Sequence, residues 1–139
     1  MEFFNAGLDQ LDDWTTADYE WVLLTAGTFD ADIPTVADVI TAGAEVTVTG
    51  YTRLAAATKV RSVDDALDQV TYTAADPDFG TLDVGEDVTA VMLTRVVTDD
   101  TDSIPVGWWE VSPPAATDSA DPFVFTLVDG IVAYSDQAV

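Results

Sequence analysis

The excess of acid limits this chain more than any other feature. Twenty-six Asp and Glu side chains face four bases, Arg53, Lys59, Arg61 and Arg95, for a formal net charge of −22. Chains so charged commonly lack the apolar surface needed to offset conformational entropy, and stay disordered. Here 48% of the residues are hydrophobic and 10% aromatic. The chain therefore has material for an apolar core and carries its acids around it. A shell of like charge repels itself and weakens the compact state. That repulsion fades as the screening length falls from about 8 Å at 0.15 M salt to about 3 Å at 1 M. The acids are 21 Asp and five Glu, against a single Lys. This balance predicts a halophilic protein that works in near-saturated salt and is expected to unfold in dilute buffer.

The same composition narrows the chemistry. With no cysteine and no histidine, disulfides and thiolate metal sites are excluded, and the commonest general base and metal ligand are missing. Nucleic-acid binding needs clustered Lys and Arg to displace counterions, and four scattered bases do not supply them. Anionic membrane surfaces are excluded on the same ground. No apolar run approaches the roughly 18 residues of a membrane span, and no basic n-region precedes an apolar stretch, so a signal peptide is not expected. The 139 residues read as a single β-rich domain.

Along the chain, Phe4, Leu8 and Leu11 recur at helix spacing with Asn5 as candidate N-cap, so residues 1–13 read as a short helical arm. The arm either lies on its own core or docks on a neighbouring subunit. Tyr19–Thr25 reads as a strand covered on both faces. Thr35–Ile40 looks like one helical turn capped by Thr35 and ending near Gly43. Glu45–Thr49 alternates as a strand, broken at Gly50, and Tyr51–Leu54 continues extended. Strands are expected at Thr58–Val63 and Gln69–Ala74, with a bridging segment at Phe79–Leu82. Val88–Val97 is the longest apolar run and the expected central strand. Ile104–Val111 follows, then a Pro-, Ala- and Asp-rich loop from Ser112 to Pro122. Phe123–Leu127 and Ile131–Tyr134 flank Asp129-Gly130, a hairpin signal. Eight or nine strands with turns between them predict an all-β fold, an antiparallel sandwich or barrel with one short N-terminal helix.

Candidate chemistry is sparse. The adjacent carboxylates Asp12-Asp13, Asp64-Asp65 and Asp99-Asp100, and Asp118 with Asp121, fall in turns, where Asp caps its own backbone. Asp30 with Asp32, and Asp76 with Asp78, offer oxygens of the kind Ca²⁺ takes, but lack the Gly and closing Glu of an EF-hand loop. No phosphate loop, dinucleotide fingerprint or nucleophile elbow is present. No catalytic residue, cofactor or metal is expected. In Trp108-Trp109, successive strand side chains point to opposite faces. One Trp can fill the core, leaving the other for a second layer or a subunit contact.

The order of these pieces carries a resemblance. Phe3-Phe4-Asn5-Ala6-Gly7-Leu8, Trp14-Thr15-Thr16-Ala17-Asp18 and Trp21-Val22-Leu23-Leu24-Thr25 are followed by Phe29-Asp30-Ala31-Asp32 and Val36-Ala37-Asp38-Val39. Next come Glu45-Val46, Gly50-Tyr51-Thr52-Arg53 and Phe79-Gly80-Thr81-Leu82. This series resembles a family of small structural proteins of tailed phages and haloarchaeal tailed viruses. The resemblance implies a virion part: a head decoration, turret or fibre-base protein. The Trp108-Trp109 pair, the Pro-rich loop and the extreme acidity depart from the family pattern, and the acidity suggests an archaeal host. Within the motif, Gly50 permits a bend. Tyr51 can bury its ring with its hydroxyl wet. Arg53 is expected to pair with a carboxylate.

The expected role is non-enzymatic, as a capsid decoration, turret or fibre-base subunit on the outer surface of the virion. Its partners would be its own copies in a cyclic homo-oligomer and other virion proteins. Phe3, Phe4, Leu8, Trp108 and Trp109 are the candidate interface residues. The alternatives are a tail-associated structural protein, or a carbohydrate- or receptor-binding module in which Trp108 or Trp109 stacks on host surface glycan.

Overall fold

The computed structural model describes residues 1–7, 9–118, 120–128 and 130–134. The chain opens with a two-residue strand, β1 (Glu2–Phe3), and one 3-10 turn at Asn5–Gly7, then enters β2 (Tyr19–Leu24). Helix α1 (Val36–Gly43) follows, then β3 (Leu54–Ala55), β4 (Val60–Asp64), β5 (Gln69–Thr73), β6 (Asp78–Thr81), β7 (Asp87–Arg95), β8 (Ile104–Ala116), β9 (Pro122–Val124) and β10 (Ile131–Tyr134). The strands form a five-stranded sheet ordered β1-β8-β7-β2-β3, a three-stranded sheet β10-β5-β4 and the pair β6-β9. All pairings are antiparallel. The fold is thus all-β and sandwich-like, as the alternation of short strands and turns predicts.

The burial of β2 and β7 explains their composition. An antiparallel sheet with one wet face alternates apolar and polar residues, whereas one covered on both faces reads as a continuous apolar run. Tyr19, Trp21 and Leu23 of β2, with Val91 and Leu93 of β7, face one core. That core is closed by Tyr72 of β5, Phe79 of β6, Ile131 of β10 and, from the N-terminal segment, Leu11 and Trp14. Val22, Leu24, Ala90 and Met92 face the opposite way into a second core, closed by Val36 and Val39 of α1 and by Phe4. The five-stranded sheet is therefore the middle of three layers, and β7 lies at its centre as expected.

Two irregularities in the β7–β8 ladder sort side chains between these cores. Leu93 pairs with Gly107 but Thr94 with Pro105, so Val106 is a bulged residue. The extra residue turns Val106 into the first core although Trp108, two residues on, points into the second. Beyond Glu110 the ladder slips again, and β8 rejoins β7 at Ala115 and Ala116.

Four local expectations are corrected. The start is not a helix over 1–13. Phe4 enters the second core while Leu11 and Trp14 enter the first, so the segment must pass round the sheet, which a straight helix cannot do. A Cβ on Gly7 would stand 2.5 Å from the Pro105 carbonyl oxygen, so this turn is pressed directly against β8. Residues 45–49 are not a strand. Glu45 makes a single bridge to Leu24, and the Thr47 and Val48 amides instead donate to the Glu86 carboxylate at 2.7 and 3.1 Å. The Pro-rich segment is not wholly loop. β8 runs to Ala116, its prolines tolerated because β1 covers its outer edge only at Gly107 and Trp108. Finally, the C-terminal strands do not form a hairpin: β9 joins β6 and β10 joins β5, each extending a different small sheet. Asp129 of the hairpin signal lies outside the described residues.

Candidate functional site

Gly50, Tyr51 and Arg53 fall together in a polar joint at the β3 edge of the five-stranded sheet. Gly50 turns the chain at φ +93°, a region costly for any residue with a Cβ. An added Cβ would also lie 2.7 Å from the Thr81 carbonyl oxygen. The turn lays the Tyr51 ring on Phe79, with centroids 5.9 Å apart. The Tyr51 hydroxyl accepts from the Leu23 amide at 3.1 Å and donates to Glu45 Oε1 at 2.8 Å. It is therefore held by protein groups rather than left wet, and burial pushes its pKa above the usual tyrosine value.

Arg53 sits among three carboxylates. Its Nε and Nη2 donate to the two oxygens of Glu45 at 2.8 and 2.7 Å. Its Nη1 and Nη2 donate to the two oxygens of Asp100 at 2.6 and 2.8 Å. Glu20 of β2 stands 3.9 Å away. Two bidentate pairs on one planar guanidinium are the strong form of this interaction. The hydrogen bonds to Glu45, then those to Asp100, raise the pKa of Arg53, and the same guanidinium holds Asp100 below the usual carboxylate range. Asp100 belongs to the β7–β8 connection, and its carbonyl accepts from the amide of Ala37 in α1. One cation thus ties the segment before β3, the loop after α1 and the β7–β8 connection to the middle sheet. A carboxylate partner for Arg53 is expected from the sequence. Which carboxylates serve is not, because Asp100 lies 47 positions away with no local signal.

Two further bases are also built in. Arg95 donates to Asp13 Oδ2 at 2.7 Å and to Gln10 Oε1 at 3.2 Å. Lys59 donates to the Ala17 carbonyl and lies 5.1 Å from the Tyr19 ring centroid and 5.8 Å from that of Trp14. No local signal marks this cation–π seat, because Lys59 reaches the Trp14–Tyr19 stretch from 42 positions beyond Ala17.

The candidate interface residues do not gather into one exposed patch. Phe3 packs against the first core from β1. Phe4 is buried, its ring 5.0 Å from Phe29 and 6.3 Å from Trp108. Trp108 is only 5% exposed. Trp109 is half-buried, 5.4 Å from Trp21 and 5.7 Å from Phe125. The two tryptophans therefore take opposite faces, and each finds aromatic neighbours within its own chain. Leu8 lies outside the described residues. Trp21 Nε1, buried, has no hydrogen-bond partner among the described residues.

The paired acids act on their own turns. Asp30 accepts from the Asp32 amide, Asp64 from the amides of Ala66 and Leu67, Asp78 from Gly80 and Asp99 from Thr101. Asp76 instead reaches across to the Leu127 amide at 2.8 Å. No protein-family model, no curated protein and no solved structure matches this chain.

Proposed function

We propose that the chain is a structural component of a tailed-virus particle, a capsid decoration, turret or fibre-base subunit that works as an assembly of identical copies in strong salt. The observation that carries this reading is the role of Gly50, Tyr51 and Arg53. These residues bear the family resemblance, and here they lock three segments onto one sheet rather than present groups to a ligand. A subunit that must hold its shape in a symmetric array needs that kind of rigidity. The acidic exterior, at a net charge of −22, suits the outside of a particle and keeps away from packaged nucleic acid. A glycan-binding role would use an exposed aromatic platform, whereas Trp14, Trp21 and Trp108 are buried and Trp109 leans on Trp21.

The test is the mass of the purified protein by light scattering at about 3 M salt, then after dilution to about 0.1 M, across the range where screening changes most. A discrete oligomer that dissociates or unfolds on dilution is expected. A monomer indifferent to salt would overturn the reading.

A further inference from the structure

The edge of the three-stranded sheet at β4 differs from the edges of the five-stranded sheet. Natural sheets discourage edge pairing with short strands, prolines and covering segments. The five-stranded sheet ends in the two-residue strands β1 and β3, and its long strand β8 carries Pro105, Pro113 and Pro114. β4 has five residues, no proline and, among the described residues, no strand paired on its outer side, and all five residues are exposed. Val60 is 50% and Val63 54% exposed. Between them stands Arg61, which among the described residues is the one base with no hydrogen bond, ion pair or ring contact.

We propose that β4 pairs antiparallel with β4 of a second copy, joining two three-stranded sheets into one six-stranded sheet across a two-fold axis. The proposal rests on the assembly reading above and names one of its contacts. The mode is strand addition at a free edge, where main-chain hydrogen bonds hold the pair and alternate side chains set the register. The second copy is favoured because the strand complements itself. A two-fold axis normal to the sheet keeps every residue on its own face, so only residues of like parity stand opposite each other. With Arg61 on the axis, two cations meet. With Ser62 on the axis, each Arg61 meets a valine. With Val63 on the axis, Val63 meets its own copy and each Arg61 comes beside Asp65 of the second copy, the first residue of the turn that follows β4. This last register is the one of the three that sets a valine against a valine and each cation beside an acid. Two copies at −22 each repel at long range, so the pairing forms where molar salt screens that repulsion and leaves the close contacts in place.

The chain has no cysteine, so Val63→Cys in the full-length protein introduces the sole thiol. Opposed residues of an antiparallel pair have Cα atoms about 4.5–5.5 Å apart, inside the roughly 4.4–6.8 Å window of a disulfide. At about 3 M salt under mild oxidation, Val63→Cys is expected to cross-link to a covalent dimer at least about tenfold faster than Val84→Cys, a control at a 72% exposed position. Arg61→Asp is expected to weaken the uncross-linked dimer about tenfold, and Arg61→Asp with Asp65→Arg to restore it. These positions are exposed, and a circular dichroism spectrum verifies that each variant folds. Cross-linking of Val63→Cys no faster than of Val84→Cys overturns the pairing, as does faster cross-linking of Ser62→Cys. If the unaltered chain is still oligomeric by light scattering, the β4 contact alone falls. If it is monomeric, the assembly reading falls with it.

Discussion

Arg53 shows how much a single side chain can organise in so acidic a chain. Its guanidinium is about a quarter exposed and joins two carboxylates bidentately. Removing it leaves Glu45, a half-buried acid, without its cation. Discounted for solvent access, Arg53→Ala is expected to cost about 2 kcal/mol. Arg95→Ala removes one ion pair to a more exposed Asp13 and is expected to cost under about 1 kcal/mol. Urea unfolding at fixed high salt compares the two, and equal losses would deny the joint its special role. The same contact sets an acid limb. Because Arg53 lowers the pKa of Asp100 in the folded state, its stabilisation is complete above the unfolded value of about 3.9. It is lost as pH falls from there through the lower folded value. Arg53→Ala should therefore flatten the loss of stability in this acid window.

At the scale of elements, β8 shows how irregularity serves two cores. The bulge at Val106 lets Val106 and Trp109 pack on the first core while Trp108 enters the second. Trp108 fills space beside Phe4 and Phe29, so Trp108→Ala empties a largely buried site and is expected to cost about 3–5 kcal/mol. Trp109 is half-buried, and the same substitution there should cost clearly less. Thermal melting of both variants in molar salt checks the order. A larger loss at Trp109 would mean that it is covered in the working assembly, where one chain by itself leaves it partly open. Much of this level is legible beforehand. The apolar runs of β2 and β7 require cover on both sides, and Asp-rich turns separate the strands. The partners of β9 and β10 are not legible, because Asp129-Gly130 signals a hairpin locally while long-range packing sends the two strands to different sheets.

For the whole molecule the dominant quantity is the net charge of −22. With three of the four bases committed to internal contacts, little remains on the outside to offset the acids. Screening must then come from salt. The melting temperature is expected to rise continuously between about 0.1 and 3 M salt, most steeply in the lower part of the range, where the screening length shortens most. A flat curve measured by differential scanning calorimetry would show that the acid shell is not destabilising.

Composition and pattern by themselves determined the acidic exterior, the all-β class, the doubly covered central strands and the need of Arg53 for a carboxylate. These follow from local chemistry: alternation, turn residues and the rarity of bases. Only the tertiary structure decided that the first residues wrap the sheet, that Asp100 completes the Arg53 joint, that both tryptophans of β8 find cover, and that among the described residues β4 is left without an outer partner. Each of those depends on contacts between segments far apart in the chain, and which side chains meet there is set by how the sheets pack, not by spacing along the sequence.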